Sequence, residues 1–390
     1  MRTAPPPLPL PLPPPPPPPP PSREVGGLDG RDAQGNAPCR SILPSKSDTA
    51  ALRAPVHMRA RSAILGVGHH VPSKVVTNDE LSRLLPTSDE WIQQRTGIRE
   101  RRYIEEDGIG ASDLAVPAAK MAVERAGRSL KDVDMIVFAT LSPDVNFPGS
   151  GCFLGDKLGL GGVPAIDIRN QCSGFLYGLS VADAWVRTGT YKNVLVVGAE
   201  VHSTGVEFSE RGRDVAVLFG DGAGAVLVGP SQGAERGVLS LALHADGSGA
   251  KELWLPAPAS KHIPRLTPEM LERGDHYPKM NGKQVFRWAT EKMPEVALEV
   301  LGAAGLEIGD IDLFVPHQAN MRINQLVATR LGLPEEKVVH NIDRYGNTTA
   351  ATIPIALSEC FADGKLREGT TVLLAAFGSG FTWGGAVVRF

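Results

Sequence analysis

A chain of 390 residues with 42% hydrophobic and 21% charged side chains can bury a sizeable core, in one large domain or two ordinary ones, which excludes a wholly disordered protein. A net charge of -3 and an isoelectric point near 6.3 give no reason to expect nucleic acid as a bulk partner. The four cysteines, Cys39, Cys152, Cys172 and Cys360, are widely spaced with no C-x-x-C pair, and no apolar run reaches the length of a membrane span. That pattern argues against a disulfide framework or a zinc site, and for a cytoplasmic protein in a reducing compartment.

Residues 1–57 differ in character from the remainder of the chain. Pro5 to Pro21 is nearly pure proline, broken by Leu8, Leu10 and Leu12, and admits only polyproline II or disorder. Residues 23–57 are rich in Gly, Ala, Arg and Ser, without the apolar core of a secretory signal. The extension could offer a proline ligand to an aromatic groove. The simpler expectation is that translation starts at Met58, which opens straight into a strand.

From there the chain has ordered character. Residues 63–68 read as a strand, and Thr77 and Thr87-Ser-Asp-Glu-Trp91 as capped helix starts. Residues 111–126 read as a helix, 134–140 as a buried strand and 149–158 as a second helix. A short strand at 164–168 hands over, through Cys172, to an apolar helix from Gly174. Residues 193–199 and 224–228 are continuous apolar strands, the pattern of a sheet covered on both faces. A second series comprises strand 238–243, helix 294–301, strand 311–315, helix 323–331, a helical stretch from Ile353, and strands 371–375 and 385–389. Cys152 and Cys360 fall on apolar helical stretches and are expected in the core.

The two series rhyme. Residues 126–138 (AGRSLKDVDMIVF) answer residues 304–315 (AGLEIGDIDLFV), each a helix end with glycine followed by a strand. The expected architecture is α/β, with similar halves at 58–230 and 231–390 sharing one core.

The chemistry centres on Cys172. A cysteine on a tight turn at a helix N-terminus meets unpaired N–H groups and the positive end of the helix dipole, which favour a thiolate nucleophile. Taken alone, the stretch fits a small buried apolar cysteine equally well. Pro316-His317-Gln-Ala-Asn320 follows the strand 311–315, and Arg344-Tyr-Gly-Asn347-Thr-Thr precedes an apolar helix. Both stand at the sheet edge where α/β proteins bind ligands, and a histidine and an asparagine delivered beside a strand-end cysteine make a candidate site.

From about Ala63 to Phe390 the chain resembles the 3-oxoacyl-[acyl-carrier-protein] synthase III family, the initiating ketosynthases of the thiolase-like superfamily. The matching segments are 87–99 (TSDEWIQQRTGIR), 171–175 (QCSGF), Arg211-Gly, 219–225 (FGDGAGA), 244–247 (HADG), 316–320 (PHQAN), 346–351 (GNTTAA) and 376–384 (AFGSGFTWG). The resemblance implies a layered α-β-α-β-α thiolase-like fold and an acyltransferase with no tightly bound cofactor and no metal. It implies that Cys172 is acylated by an acyl-CoA primer, and that His317 and Asn347 hold the enolate formed when malonyl-acyl carrier protein loses carbon dioxide. It further implies an oxyanion hole from the backbone N–H groups of Cys172 and Ser379, and coenzyme A contacts from Thr87, Trp91, Arg95, Arg211, Gly282 and Asn320. Arg287 and Arg322 would receive the carrier protein, and Phe377 would stand at the acyl pocket. Phe147 would cross a two-fold dimer interface to close the partner's acyl pocket.

Two departures stand out. Ser379 occupies the middle of a loop that is commonly triple glycine in the family. Residues 253–283 carry Pro258, Pro264, Pro268 and Pro278, with Lys283 where a polar amide is common. These keep open a starter-unit ketosynthase of a secondary-metabolite pathway or a relative joining longer acyl chains. A non-catalytic thiol scaffold is the rival from another class. A peptide from upstream of Met58, found by mass spectrometry of the native protein, would overturn the expected start.

Overall fold

The computed structural model describes residues 61–390 apart from Ala234, so the proline-rich extension, Cys39 and the expected start at Met58 lie outside the described residues. The apolar runs between residues 62 and 230 form β1 (Ser62–His70), β4 (Met135–Ala139), β5 (Ala165–Ile168), β6 (Val194–Glu200) and β7 (Gly222–Pro230). They make one five-stranded sheet in the order β1-β7-β6-β4-β5. β4 runs parallel to β5 and β6, while β7 is antiparallel to both its neighbours. A two-stranded ribbon, β2 (Lys74–Thr77) with β3 (Glu100–Tyr103), flanks it in sequence.

Beyond residue 236 the strands are β8 (Gly237–Ala245), the short pair β9 (Leu253–Trp254) and β10 (Lys279–Met280), β11 (Leu313–Pro316), β12 (Thr371–Gly378) and β13 (Thr382–Arg389). Four of them form a second sheet in the order β11-β12-β13-β8. Among the described residues, β9 and β10 pair only with each other.

The side-chain alternation of the strands explains the layering. In β4, Met135 and Val137 enter a central cluster shared by both sheets, whereas Ile136 and Phe138 enter an outer one. In β12, Val372, Leu374 and Ala376 face the same central cluster, and Leu373, Ala375 and Phe377 face a third. Because each strand is buried on both faces, it must be apolar at every position rather than at alternate ones. The helices Gly174–Thr188 and Thr352–Ala362 fill the central layer, Ala111–Arg125 covers the outer face of the first sheet, and Gly282–Ala304 with Met321–Leu331 covers that of the second. The result is the expected α-β-α-β-α stack.

The rhyming segments fold alike. Gly127 and Gly305 both take left-handed backbone, with φ of 63° and 68°. Each then leads through a 3-10 turn, Leu130–Asp132 or Ile308–Asp310, into β4 or β11.

Two expectations need correction. The helix expected at 294–301 is 23 residues long, Gly282–Ala304, with Pro294 inside it and Asn281 capping its start. Proline at 294 cannot donate to the carbonyl of Thr290, and Arg330 Nη1 donates to that oxygen instead, at 2.5 Å. Cys152 is exposed on the helix Ser150–Lys157, while Cys360 is buried as expected. One helix face of that short element meets solvent, and Cys152 stands on it.

Backbone crowding couples the first sheet to the second half of the chain. A Cβ on Gly198 in β6 would lie 2.2 Å from the carbonyl oxygen of Ala350, so the 3-10 turn Thr349–Ala351 sits directly on the strand. Gly198→Ala is therefore expected to lower stability by about 1–3 kcal/mol and to shift the Asn347 loop with it. Thermal unfolding and acyl loading measured together check this, and wild-type values for both would refute it.

Candidate active site

The strand β5 ends at Ile168, and a 3-10 turn, Gln171–Ser173, joins it to the helix Gly174–Thr188. Gln171 has a φ of 43°, a left-handed conformation that non-glycine residues seldom adopt. Such strain is held in place by surrounding packing, and here it sets Cys172 on the turn, 5% exposed. The end of β12 lies against it: a Cβ on Gly378 would stand 2.8 Å from Cys172 Cβ and 3.0 Å from its backbone nitrogen. Only glycine allows that approach.

His317 directly follows β11, and its N–H donates to the carbonyl of Ala375 on β12 at 2.8 Å. The ring's Nδ1 lies 2.7 Å from Thr352 Oγ1, which in turn lies 3.0 Å from the carbonyl of Thr349. The Nε2 atom is buried with no hydrogen-bond partner among the described residues. Asn347 follows Gly346, whose φ of 63° turns the chain after the short helix Ile342–Tyr345. Its main chain is pinned on both sides, by Asn347 N–H to Leu218 O at 2.8 Å and by Gly220 N–H to Asn347 O at 3.1 Å. Its Oδ1 accepts from the N–H of Thr349 at 2.8 Å, which leaves the amide hydrogens on Nδ2 to point elsewhere.

Cys172, His317 and Asn347 line one cavity of about 470 Å³. Burial governs its electrostatics. The Cys172 thiol is pushed up to about 12 by desolvation and by the Glu200 carboxyl, against the pull of the backbone N–H groups of Cys172 and Ser379. His317 is driven down to about 3 by desolvation. The expectation of a thiol lowered by the helix N-terminus is thus overturned, because the loss of water outweighs the nearby N–H groups. Both partners rest neutral, and because Thr352 Oγ1 donates to the carbonyl of Thr349 it accepts from His317 Nδ1–H, which leaves a bare Nε2 on the ring.

The Ser379 hydroxyl donates to the carbonyl of Leu253 in β9. The side chain is thereby turned away, while the N–H of the same residue acts on the Cys172 thiol. Gly282, Asn320, Arg95, Trp91 and Phe377 line the same cavity. Asn320 caps the helix Met321–Leu331 and donates from Nδ2 to Arg95 O at 2.9 Å.

Arg211 is the misplaced residue. Its guanidinium is engaged by Glu207, four residues earlier, at 2.6 Å and by the carbonyl of Glu272 at 3.0 Å, so it is not drawn to Trp91. Arg213 takes that place, 4.9 Å from the Trp91 ring, with Arg95 at 4.5 Å. Two arginines two residues apart look alike in sequence, and the nearby Glu207 was the signal that separates them. Thr87 lies just before the helix Asp89–Thr96, and its Oγ1 is buried without a partner among the described residues rather than lining the cavity. Arg287 is exposed and faces Glu291 at 4.0 Å; Arg322 stands 5.7 Å from the Phe286 ring. Phe147 is 82% exposed. Among the described residues, no group of three or more His, Cys, Asp or Glu side chains gathers to hold a metal ion. Sequence reasoning missed Arg213, Glu200 and His202, the last two buried just past the apolar run of β6.

Two sheets interleaved with three helical layers define a thiolase-like enzyme fold. Residues 166–247 and 301–390 match the family descriptions "3-Oxoacyl-[acyl-carrier-protein (ACP)] synthase III" and its C-terminal region. The Clostridioides difficile (strain 630) beta-ketoacyl-[acyl-carrier-protein] synthase III is 44% identical over 333 residues, 85% of this chain and 99% of that protein. The crystal structure of 3-oxoacyl-[acyl-carrier-protein] synthase III from Aquifex aeolicus VF5 superposes with a TM-score of 0.77 at 41% identity, covering 84% of this chain and 100% of that one. The priming beta-ketosynthase of the R1128 polyketide biosynthetic pathway gives 0.77 at 33% identity, over 85% and 97%. The chain belongs to the 3-oxoacyl-[acyl-carrier-protein] synthase III family. It is an acyltransferase of the condensing type.

With its thiol held protonated by burial, Cys172 is expected to react slowly with iodoacetamide at pH 7 and faster with each unit of pH up to about 10. A rate plateau reached below pH 8 would show a lowered thiol and refute the neutral resting state.

Proposed function

We propose that Cys172 is the nucleophile, and that His317 and Asn347 are the two neutral donors for the decarboxylating half of the reaction. The observation that carries this reading is their meeting in one cavity, with Nε2 of His317 unpartnered and Oδ1 of Asn347 occupied from behind.

In the first half, Cys172 sulfur attacks the thioester carbonyl of an acyl-CoA primer. Its proton passes, through Nε2 of His317, to the departing CoA thiolate, so a C–S bond forms as another breaks. The N–H groups of Cys172 and Ser379 flank the sulfur and would hold the carbonyl oxygen as charge develops. In the second half, malonyl-acyl carrier protein enters and loses carbon dioxide. The enolate oxygen is held by Asn347 Nδ2–H and by His317 in its Nε2–H tautomer, reached when the Thr352 hydroxyl turns to donate to Nδ1. Its carbon attacks the acyl-Cys172 carbonyl, the bond from that carbonyl to sulfur breaks as 3-oxoacyl-acyl carrier protein leaves, and the Cys172 thiolate takes a proton from solvent. Asn347 suits this step because it donates without placing a negative charge beside the leaving carboxylate. A neutral His317 serves both halves, as proton acceptor in its Nδ1–H tautomer and as donor in its Nε2–H tautomer.

Coenzyme A would enter past Trp91, with Arg95 and Arg213 on the ring and Gly282 and Asn320 farther in. Arg287 and Arg322, outside the cavity lining, suit the acidic carrier protein. An aromatic as exposed as Phe147 supports a homodimer in which it closes the partner's pocket. We place the enzyme in the cytoplasm, where the free Cys172 thiol stays reduced. The likeness to a polyketide-priming ketosynthase supports a second reading, in which the product starts a secondary metabolite.

Intact-protein mass after brief exposure to acetyl-CoA should show an acyl adduct on wild type and no thioester adduct on Cys172→Ser. Asn347→Asp should keep loading but lose condensation roughly 100- to 1000-fold, since it replaces a donor with a charge. Equal losses in both half-reactions would place Asn347 outside the enolate site.

A further inference from the structure

Among the described residues, Arg101 is the largest side chain that is wholly buried, and no step above uses it. It stands on β3, which pairs with β2 and belongs to neither main sheet. Desolvation pulls its guanidinium down only to about 10, so the charge persists at neutral pH. A buried cation is costly unless its hydrogens are placed, and their placement shows what it holds. Nη1 donates to Asn78 Oδ1 at 2.7 Å and to the carbonyl of Val76 at 3.3 Å. Asn78 is itself fixed, its Nδ2 donating to Ile98 O at 2.7 Å and to Asp89 Oδ1 at 2.9 Å. Nη2 donates to the carbonyl of Val217 at 2.9 Å. One arm of the fork is thus anchored beside β2, and the other grips a single backbone oxygen far along the chain.

That oxygen lies one residue before the segment from which Asn347 hangs. Leu218 O accepts from the Asn347 N–H at 2.8 Å, Phe219 pairs with Asn347 in an isolated parallel bridge, and the Gly220 N–H donates to Asn347 O at 3.1 Å. Val217, Leu218 and Phe219 also line the cavity with Asn347, whereas Arg101 does not. The base of the Arg101 side chain packs against both partners of the bridge. A Cβ on Gly220 would lie 3.1 Å from Arg101 Cβ, and one on Gly346, the residue before Asn347, 3.3 Å from it.

We propose that Arg101 is a positioning residue for Asn347: its fork fixes Val217, and through residues 218–220 it sets the place from which Asn347 Nδ2 donates to the enolate oxygen. This rests on the reading of Asn347 as an enolate donor. A lysine at 101 would keep the charge, but its single nitrogen replaces a rigid fork and cannot hold Asn78 and Val217 in the same geometry. The effect belongs to the decarboxylating half alone, since loading of Cys172 does not use Asn347.

The test compares the two half-reactions in Arg101→Lys and Arg101→Gln: acyl loading at saturating acetyl-CoA, read by intact-protein mass, and carbon dioxide release from malonyl-acyl carrier protein. Loading is expected to stay within about threefold of wild type while carbon dioxide release falls roughly 10- to 100-fold. In an Asn347→Ala background the same substitutions should lower carbon dioxide release by less than about twofold further, because the group being positioned is gone. Asn78→Ser, which leaves the guanidinium whole and frees one arm, should give the same split at smaller size. Wild-type carbon dioxide release in folded Arg101 variants overturns the proposal. Equal falls in both half-reactions, or losses that multiply in the double variants, overturn it as well. If no variant at 101 or 78 folds, Arg101 serves the fold alone and the proposal fails. Wild-type carbon dioxide release by Asn347→Ala defeats the enolate-donor reading, and this inference with it.

Discussion

Two backbones approach one another at Gly378 and Cys172 more closely than any side chain would allow. That contact joins the last turn before the helix Gly174–Thr188 to the end of β12, and so one sheet to the other across the central layer. The position of the thiol relative to the Ser379 N–H depends on it. So does the reach of His317, which hangs from β12 through Ala375. The site is assembled from strand and turn backbone rather than from long side chains, and its precision follows from the packing of the shared core.

Dryness is the second condition. Water is kept from Cys172, His317 and Glu200, and each is pushed toward its neutral form. A neutral resting site holds no standing charge for solvent or the wrong ligand to satisfy. On the proposed mechanism, charge arises only as bonds change, beside the N–H groups of Cys172 and Ser379. The strained Gln171 and Thr349 fit the same logic, since each forces a short turn that a relaxed backbone would open.

Much of this was legible in the residues. The doubly buried strands announced themselves as unbroken apolar runs, and the repeated AG…D-V/I-D pattern marked equivalent strand starts. Cys172, His317 and Asn347 could be placed at one edge because each ends a strand or opens a helix. What escaped were choices made by tertiary neighbours. Pro294 looks like a helix start until Arg330 is seen at the carbonyl it leaves vacant. Arg211 and Arg213 exchange roles because Glu207 is already bonded to the first. His202 gives no sign in sequence, since burial beside Thr349 is a property of the fold alone.

The hydroxyl of Ser379 ties the loop that carries its N–H to Leu253, in a two-stranded ribbon that joins neither main sheet. That ribbon brackets the proline-rich insert of residues 255–278. The donor beside the sulfur is therefore anchored to the least sheet-bound part of the second half. Evolution at the insert and evolution of the catalytic step are mechanically in series: a change in the outer loop can retune turnover without any residue of the cavity being replaced.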